Sequence, residues 1–288
     1  MSLQSPLVAE EDVSQELSVN PPERKPRLSE RLRQFGPPLG IFVFVVGLWQ
    51  IFVTALHLPV YIFPTPSAIV TAAIDNLPSL LQSAYHTFIS AMLGFLLSGL
   101  FGVLVAVVMS QSKWIERSLS PYAVVLQTIP IVAVAPILIV WFGAGFTAIV
   151  AVSFIIAVFP VISNTVLGLN SVDTNLANLL RLYHASRWQF TWKLRIPTAL
   201  PYIVGGLRIS AGSSLIGAIV GEYVAGIGGS QGGLGYSIIV AATQLHMDYL
   251  FAAALTACIM GILVYLGVGQ LGRLLLGKWH ESSIVVEN

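Results

Sequence analysis

Two glycine patterns near the C-terminus have spacings that elsewhere cradle phosphates. Gly272-Arg-Leu-Leu-Leu-Gly277-Lys278 has the glycines and lysine of a nucleotide phosphate loop, and Gly267, Gly269 and Gly272 have the spacing of a dinucleotide turn. Both patterns need a preceding strand, and the first also needs a Ser or Thr hydroxyl for Mg directly after the lysine. Trp279 stands there instead, and the run before it is apolar and long enough for a helix across a membrane. Neither is read as a nucleotide site, so any ATP that drives this protein belongs to another chain. His57, His86, His184, His246 and His280 lack the spacing of a helix-borne metal pair, and Cys258 is the single cysteine, in an apolar run where core packing is expected. No Gly-x-Ser-x-Gly elbow and no nucleophile with a neighbouring base occur. The sequence therefore predicts no catalytic residue, no metal and no cofactor in this chain.

The polar chemistry is concentrated between Asp173 and Pro201. Arg181, Arg187, Lys193 and Arg195 fall within fifteen residues of one another. Each charge at a bilayer centre costs roughly 2.5–3.5 kcal/mol on insertion scales, so this stretch lies at a membrane face. Leu176, Leu179, Leu180 and Tyr183 recur at i, i+3, i+4 and i+7, the pattern of a short amphipathic helix. Ser186 can cap a second helix, and apolar character resumes beyond Pro197 and Pro201. By composition alone this is also what an ordinary basic loop looks like.

The elements that position this stretch are membrane spans. Hydrophobic residues make up 56% of the 288 positions and charged residues 9%, with a mean hydropathy of +0.82. Soluble domains carry about a quarter charged residues, so the class is all-α integral membrane protein. Residues 1–36 hold Pro21, Pro22 and Pro26 among mixed charges and read as a disordered cytoplasmic tail. About 20 apolar residues cross a hydrocarbon core. Spans are expected at about 38–57, 86–110, 119–142, 146–169, 199–221 and 249–273, with an interfacial helix over 68–81 and a short tail at 277–288. The membrane domain is 37–276. Six spans put every loop Lys and Arg on one side, while Asp75, Glu222 and Asp248 mark the other. The positive-inside rule makes the basic side, and both termini, cytoplasmic.

Few residues inside the spans can touch a solute. Gln127, Thr128 and Pro130 mark a proline-broken helix, which is tolerated where it faces protein or a watery cavity, although plain kinking gives the same pattern. Ser153, Ser163, Asn164, Ser210, Ser213 and Ser214 complete a polar lining. Arg208 lies about ten residues into the fifth expected span, a functional position by default. Glu222 follows Gly221 at its outer end. Ser98, Gly102, Gly212, Gly217 and Gly221 are read as close helix packing. A self-sufficient secondary transporter or channel is the alternative class, but such carriers use intramembrane acids or histidines, and only Arg208 is charged well within a span.

Residues 173–197 resemble the cytoplasmic loop signature of ABC importer permeases. That signature runs Glu-Ala-Ala, a turn Gly, an apolar residue and a terminal Leu-Pro. The matching positions are Asn178-Leu179-Leu180, His184, Leu194 and Ile196-Pro197, so the acid and the turn Gly are replaced. His tolerates the positive φ that the Gly would supply. Ala185-Ser186-Arg187-Trp188-Gln189 and Gly206-Leu207-Arg208 are similar to the branch for nitrate, sulfonates, thiamine precursors and riboflavin, and the likeness covers about 60–275.

The resemblance implies a type I permease of six helices in a bacterial inner membrane, a homodimer surrounded by lipid with the pathway between protomers. It implies an ABC ATP-binding subunit, which carries ATP and Mg, docked on Leu179, Arg181, Tyr183, His184, Ala185, Ser186, Arg187 and Trp188. It implies a periplasmic or lipoprotein substrate-binding protein outside, and no nucleic acid. It puts an acid at Glu222 near the outer gate and favours a structural or gating role for Arg208. The run Leu179–Ser186 is nearer to permeases for pyrimidine thiamine precursors or riboflavin than to those for nitrate, with taurine, other sulfonates and bicarbonate open.

Overall fold

The computed structural model describes residues 28–226 and 232–276. The tail up to residue 27, the loop at 227–231 and the segment from 277 onward, with Gly277, Lys278, Trp279 and His280, lie outside the described residues. The chain divides into two units, residues 1–51 and 52–288. The first contains most of α1, Leu28–Ala55. This helix starts earlier than the span expected at 38, because Leu-Ser-Glu-Arg-Leu-Arg-Gln is a run of good helix formers and the helix continues through Pro37 and Pro38.

Among the described residues of the second unit, helices are the regular elements. Its first helix, α2, covers Pro66–Asp75, with Thr65 as N-cap and Pro66 in the first turn, as the Pro-Thr-Pro sequence predicts. The expected interfacial helix over 68–81 is thereby cut short. Asn76 separates α2 from α3, Leu77–Ser110, and Pro78 sits in the first turn of α3, where its missing N–H removes no helical bond. The second span thus begins nine residues before 86. The stretch at Lys113–Arg117, between the spans expected at 86–110 and 119–142, opens α4, Lys113–Thr128, capped by Ser112. A break at Ile129-Pro130 then turns the chain by 97° into α5, Ile131–Phe142. Proline disfavours the α conformation for the residue before it, and Ile129 is extended at φ −67° and ψ 122°. Pro136, in contrast, lies inside α5.

Gly143 (φ 82°) and Gly145 lead into α6, Phe146–Asn170. After α7, Thr174–Leu182, and α8, Arg187–Phe190, comes a π turn over Thr191–Arg195 and then α9, Ile196–Ala225. The fifth span was expected to start at about 199, yet α8, the π turn and α9 form one helical segment, Arg187–Ala225. The π turn explains the continuity. Ile196 N–H bonds Thr191 O five residues back, so the widened turn sits just ahead of Pro197, which could not complete an α turn. The remaining helices are α10, Leu234–Thr243, and α11, Met247–Leu276. Among the described residues five helices are long and apolar enough to cross a membrane, and the bent pair α4 and α5 passes the same test together.

The core lies where α6 packs on α9 and α3 packs on α6. Many of its buried residues are small, among them Ala91, Ala106, Ala157, Ala199, Ala211 and Ala218, with Val152, Val161 and Leu169 packed beside them. In lipid no hydrophobic force draws helices together, so close backbone approach and interhelical hydrogen bonds must do it. Gly217 shows how close: a Cβ there would lie 2.6 Å from Ser153 Cα. Ser153 Oγ donates to Ser214 O (2.7 Å), Ser210 Oγ donates to Ala157 O (2.8 Å), and Ser98 and Ser210 hydroxyls are 3.1 Å apart. Ser153, Ser210 and Ser214, expected along a polar lining, are instead buried in these helix contacts. Ser98, Gly102, Gly217 and Gly221 occupy tight crossings as expected, but Gly212 has open space around it. Cys258 is exposed on α11 and takes no part in the core.

Gly217→Ala should therefore destabilise the protomer by about 1–3 kcal/mol through overpacking, seen as a lower unfolding temperature in detergent. Gly212→Ala should cause no loss.

Candidate functional site

Asp173 caps α7 by accepting from Asn175 N (2.6 Å) and Leu176 N (3.2 Å). Asn178, which replaces the expected acid, still accepts from Arg181 Nη1 at 3.3 Å. The helix ends in a Schellman turn: His184 N–H reaches Arg181 O (3.0 Å) and Ala185 N–H reaches Leu180 O (3.0 Å). His184 sits at φ 52°, so the side chain replaces a Gly while keeping the left-handed turn. Ser186 then forms a full capping box with Gln189, at 3.2 Å and 2.9 Å, and starts α8.

This turn displays its side chains outward. Leu182 and Tyr183 are each 77% exposed and Trp188 is 66% exposed, with its ring 5.3 Å from that of Trp192. Leu179, Arg181, His184, Ser186 and Arg187 are exposed beside them, and Ala185 is half-buried. All eight loop residues expected to meet a partner are contiguous on α7, the turn and α8. Their mixture of aromatic, Leu and Arg side chains has the composition of interface anchors.

At the far end of α9 a carboxyl group is buried with no cation paired to it among the described residues. Glu222 is 2% exposed, and its Oε2 accepts from Thr87 Oγ1 on α3 (2.9 Å) and from Gly235 N–H on α10 (2.9 Å). Thr87 Oγ1 in turn accepts from Leu234 N–H at 2.8 Å. Gly233, the N-cap of α10, has no side chain to offer, so Thr87 and Glu222 satisfy the first amides of α10 from other helices. The helix dipole adds to this, because its positive end meets the acid. Gly233 is required: a Cβ there would lie 2.1 Å from Glu222 Oε1. Ser83 and Ser237 hydroxyls, 3.0 Å apart, extend the link between α3 and α10.

Arg208 lies midway along α9. Its guanidinium carbon is 4.2 Å from the centre of the Tyr265 ring, and it rests on Gly269, where a Cβ would be 3.1 Å from Nε. That Nε is buried without a hydrogen-bond partner among the described residues. The stacking fastens α9 to α11. Beside it α3, α9 and α11 enclose an apolar groove of about 570 Å³ lined by Phe88, Phe95, Leu207, Met260 and Leu263, a poor environment for a polar solute.

Comparison with known proteins gives this geometry a family. Residues 98–276 match the model for binding-protein-dependent transport system inner membrane components. The chain belongs to that family. It is an ABC transporter permease, a multi-pass membrane protein of import systems. It is 35% identical over 234 residues to a probable ABC transporter permease of Haemophilus influenzae, covering 81% of this chain and 94% of that one. It is 34% identical over 262 residues to the riboflavin transport system permease RibX of Chloroflexus aurantiacus (89% and 96% covered). With the formylaminopyrimidine transport permease ThiX of Halalkalibacterium halodurans it shares 33% identity over 251 residues (85% and 96%). A crystal structure of an amino acid ABC transporter with histidines has the same fold, with a TM-score of 0.57 at 20% identity over 72% of this chain and 97% of that one.

Within the permease fold the pathway candidates do not form one cluster. Gln127, Thr128 and Pro130 are exposed at the break between α4 and α5. Ser163 is exposed on α6, while Asn164 Nδ2 donates to Pro160 O (2.8 Å) next to Gly206 of α9. Ser213 is half-buried and its hydroxyl donates to Ile209 O (3.1 Å). Arg208 and Glu222 stand fourteen residues apart on one helix, about 21 Å of rise. Sequence reasoning missed Thr87, Gly233 and Gly235. The only available signal was the glycine pair flanking Leu234, which says that backbone comes close to something without naming Glu222.

Thr87→Val should leave the Leu234 amide unpaired and remove a donor from Glu222, at a cost of about 1–3 kcal/mol, whereas Thr87→Ser should be tolerated. The check is hydrogen exchange at the start of α10, which should accelerate in the valine variant alone.

Proposed function

We propose that this permease is the transmembrane subunit of an ATP-driven importer whose energy enters at the turn between α7 and α8. The observation that carries this reading is the pairing of a rigidly capped, outward-facing aromatic and basic turn with an unbroken helical connection to α9. A partner that pushes on Trp188 and Arg187 moves a helix 39 residues long. The soft loop that would absorb the push is absent between Arg187 and Ala225. An ABC ATP-binding subunit, carrying ATP and Mg, is the occupant the family implies, so ATP hydrolysis belongs to that subunit and this chain contributes pathway and coupling.

In this reading the chain crosses a bacterial inner membrane six times, with α4 and α5 together making one crossing and both termini in the cytoplasm. Two copies form the pathway between them, lipid surrounds the dimer, and a periplasmic or lipoprotein binding protein delivers cargo outside. Glu222 and α10 lie at the outer end, near the gate, and Gln127, Thr128, Pro130, Ser163, Asn164, Arg208 and Ser213 are the residues proposed along or beside the route. Relatives named for riboflavin and formylaminopyrimidine support a small heterocyclic cargo, with relatives named for aliphatic sulfonates, nitrate and taurine as the other class.

Replacing Arg187 and Trp188 together by Ala should leave the protein in the membrane but release or uncouple the ATPase, lowering ATP-driven uptake by at least about tenfold if the pair contributes 1.4 kcal/mol or more to docking. Normal uptake by that variant would refute the docking site. Asp248→Cys should be labelled by an impermeant thiol reagent from outside, and Ser186→Cys only from inside; the opposite pattern would invert the topology.

A further inference from the structure

Arg195 occupies the π turn, between the exposed α8 and the span α9. Its Nη1 donates to Ser110 O, the last residue of α3. Its guanidinium carbon lies 5.3 Å from the centre of the Phe190 ring, which closes α8. One side chain therefore touches the end of the docking helix and the end of a different membrane span. The fit is chemical as well as geometric. The last carbonyls of a helix lack internal partners and carry the negative end of its dipole, so a cation is the group that satisfies them best. Guanidinium is planar and can stack on a ring while donating in its own plane, which ammonium cannot reproduce.

The same corner gathers further links. Gln111, directly after α3, donates from Nε2 to Thr191 Oγ1 in the π turn (3.4 Å). In α4, Glu116 accepts from Asn170 Nδ2 at the end of α6 (2.9 Å), and Lys113 Nζ reaches both Glu116 Oε2 (3.0 Å) and Asn170 Oδ1 (3.4 Å). The start of α4 and the end of α6 are thus joined by polar contacts, α3 runs into α4 through Gln111 and Ser112, and Arg195 connects that group to α8. With the weaker Gln111–Thr191 contact, Arg195 is the polar link by which a push on α8 reaches α3 as well as α9.

We propose that Arg195 is the positioning residue that carries displacement of α8 to α3 and α4, so that a second and third span follow the docking helix. This rests on the proposed docking of the ATPase at α7 and α8, and the test separates the two ideas. The full transporter, with its ATP-binding subunit, is prepared in a Cys258→Ser background with one added cysteine, Gln189→Cys on α8 or Trp114→Cys at the start of α4. The rate of maleimide modification is measured with and without Mg-ATP and orthovanadate. The parent should change rate at both positions. Arg195→Met should keep the nucleotide response at Gln189→Cys and lose it at Trp114→Cys, with ATPase still co-purifying in equal amount and more ATP hydrolysed per solute moved. Arg195→Lys should restore only part of the response. Phe190→Leu, which removes the stack but leaves Arg195 in place, should weaken the response at Trp114→Cys and serves if Arg195→Met fails to fold. A residue of merely structural importance would lower yield and both responses together. Retention of both responses in Arg195→Met and Phe190→Leu would overturn the clamp while leaving the docking site standing, as would a parent that responds on α8 but not on α4. A parent silent at both positions, with no ATPase bound, would overturn the proposed docking and the clamp with it.

Discussion

The close approach of α6 and α9 is the constraint on which the rest of the permease depends. In a lipid solvent, burying Leu against Leu gains little over leaving it in the bilayer, and helices are held by van der Waals contact and interhelical polar bonds of about 1 kcal/mol each. Gly217 lets the α9 backbone reach Ser153, whose hydroxyl then bonds Ser214 O, and Ser210 bonds Ala157 O about one turn nearer the start of α9. Bulk at the crossing would separate the helices and leave these hydroxyls facing hydrocarbon. With α6 and α9 fixed, α3 packs on both and supplies Thr87 at one end and Ser110 at the other.

The ends of α9 solve opposite electrostatic problems. At Glu222 an acid is removed from water, and the amides of α10 with the Thr87 hydroxyl replace its hydration. At Arg195 a base is partly removed from water, and the carbonyl end of α3 with the Phe190 ring does the same for a cation. Each charged side chain is satisfied by a helix terminus from another element. Such pairing ties the spans together at their two ends, where polar groups are tolerated, and leaves the middle to small residues. Arg208 is the exception, held midway by Tyr265 and Gly269.

Much of the loop was legible before any coordinates. The 3.6-residue spacing of Leu176, Leu179, Leu180 and Tyr183 gave α7, Ser186 gave the cap of α8, and the tolerance of His for positive φ gave the turn at His184. These are local effects, decided within four or five residues of chain. The break before Pro130 was legible for the same reason, since proline acts on its immediate neighbour. Pro197 misled, because a proline ends a helix, starts one as Pro78 does, or passes through behind a π turn according to what the neighbouring turns can adjust. Ser153, Ser210 and Ser214 misled as well: a hydroxyl in an apolar run signals a polar contact but not whether the partner is a solute or another helix.

What the sequence determined by itself is the membrane class, the approximate spans and the polar turn between α7 and α8, which follow from hydropathy, charge placement and short-range backbone preferences, together with the permease family, which rests on the resemblance of residues 173–197 to the loop signature of ABC importer permeases. What only the tertiary structure decided is which distant groups meet: Glu222 with Thr87 and Gly235, Arg208 with Tyr265, Arg195 with Ser110. The physical reason is that each contact joins residues on separate helices whose rotation and depth are set by the packing of small side chains along α3, α6 and α9. A shift of one residue in any of these crossings would turn a side chain by about 100° and pair it with a different partner, and no local pattern records that choice.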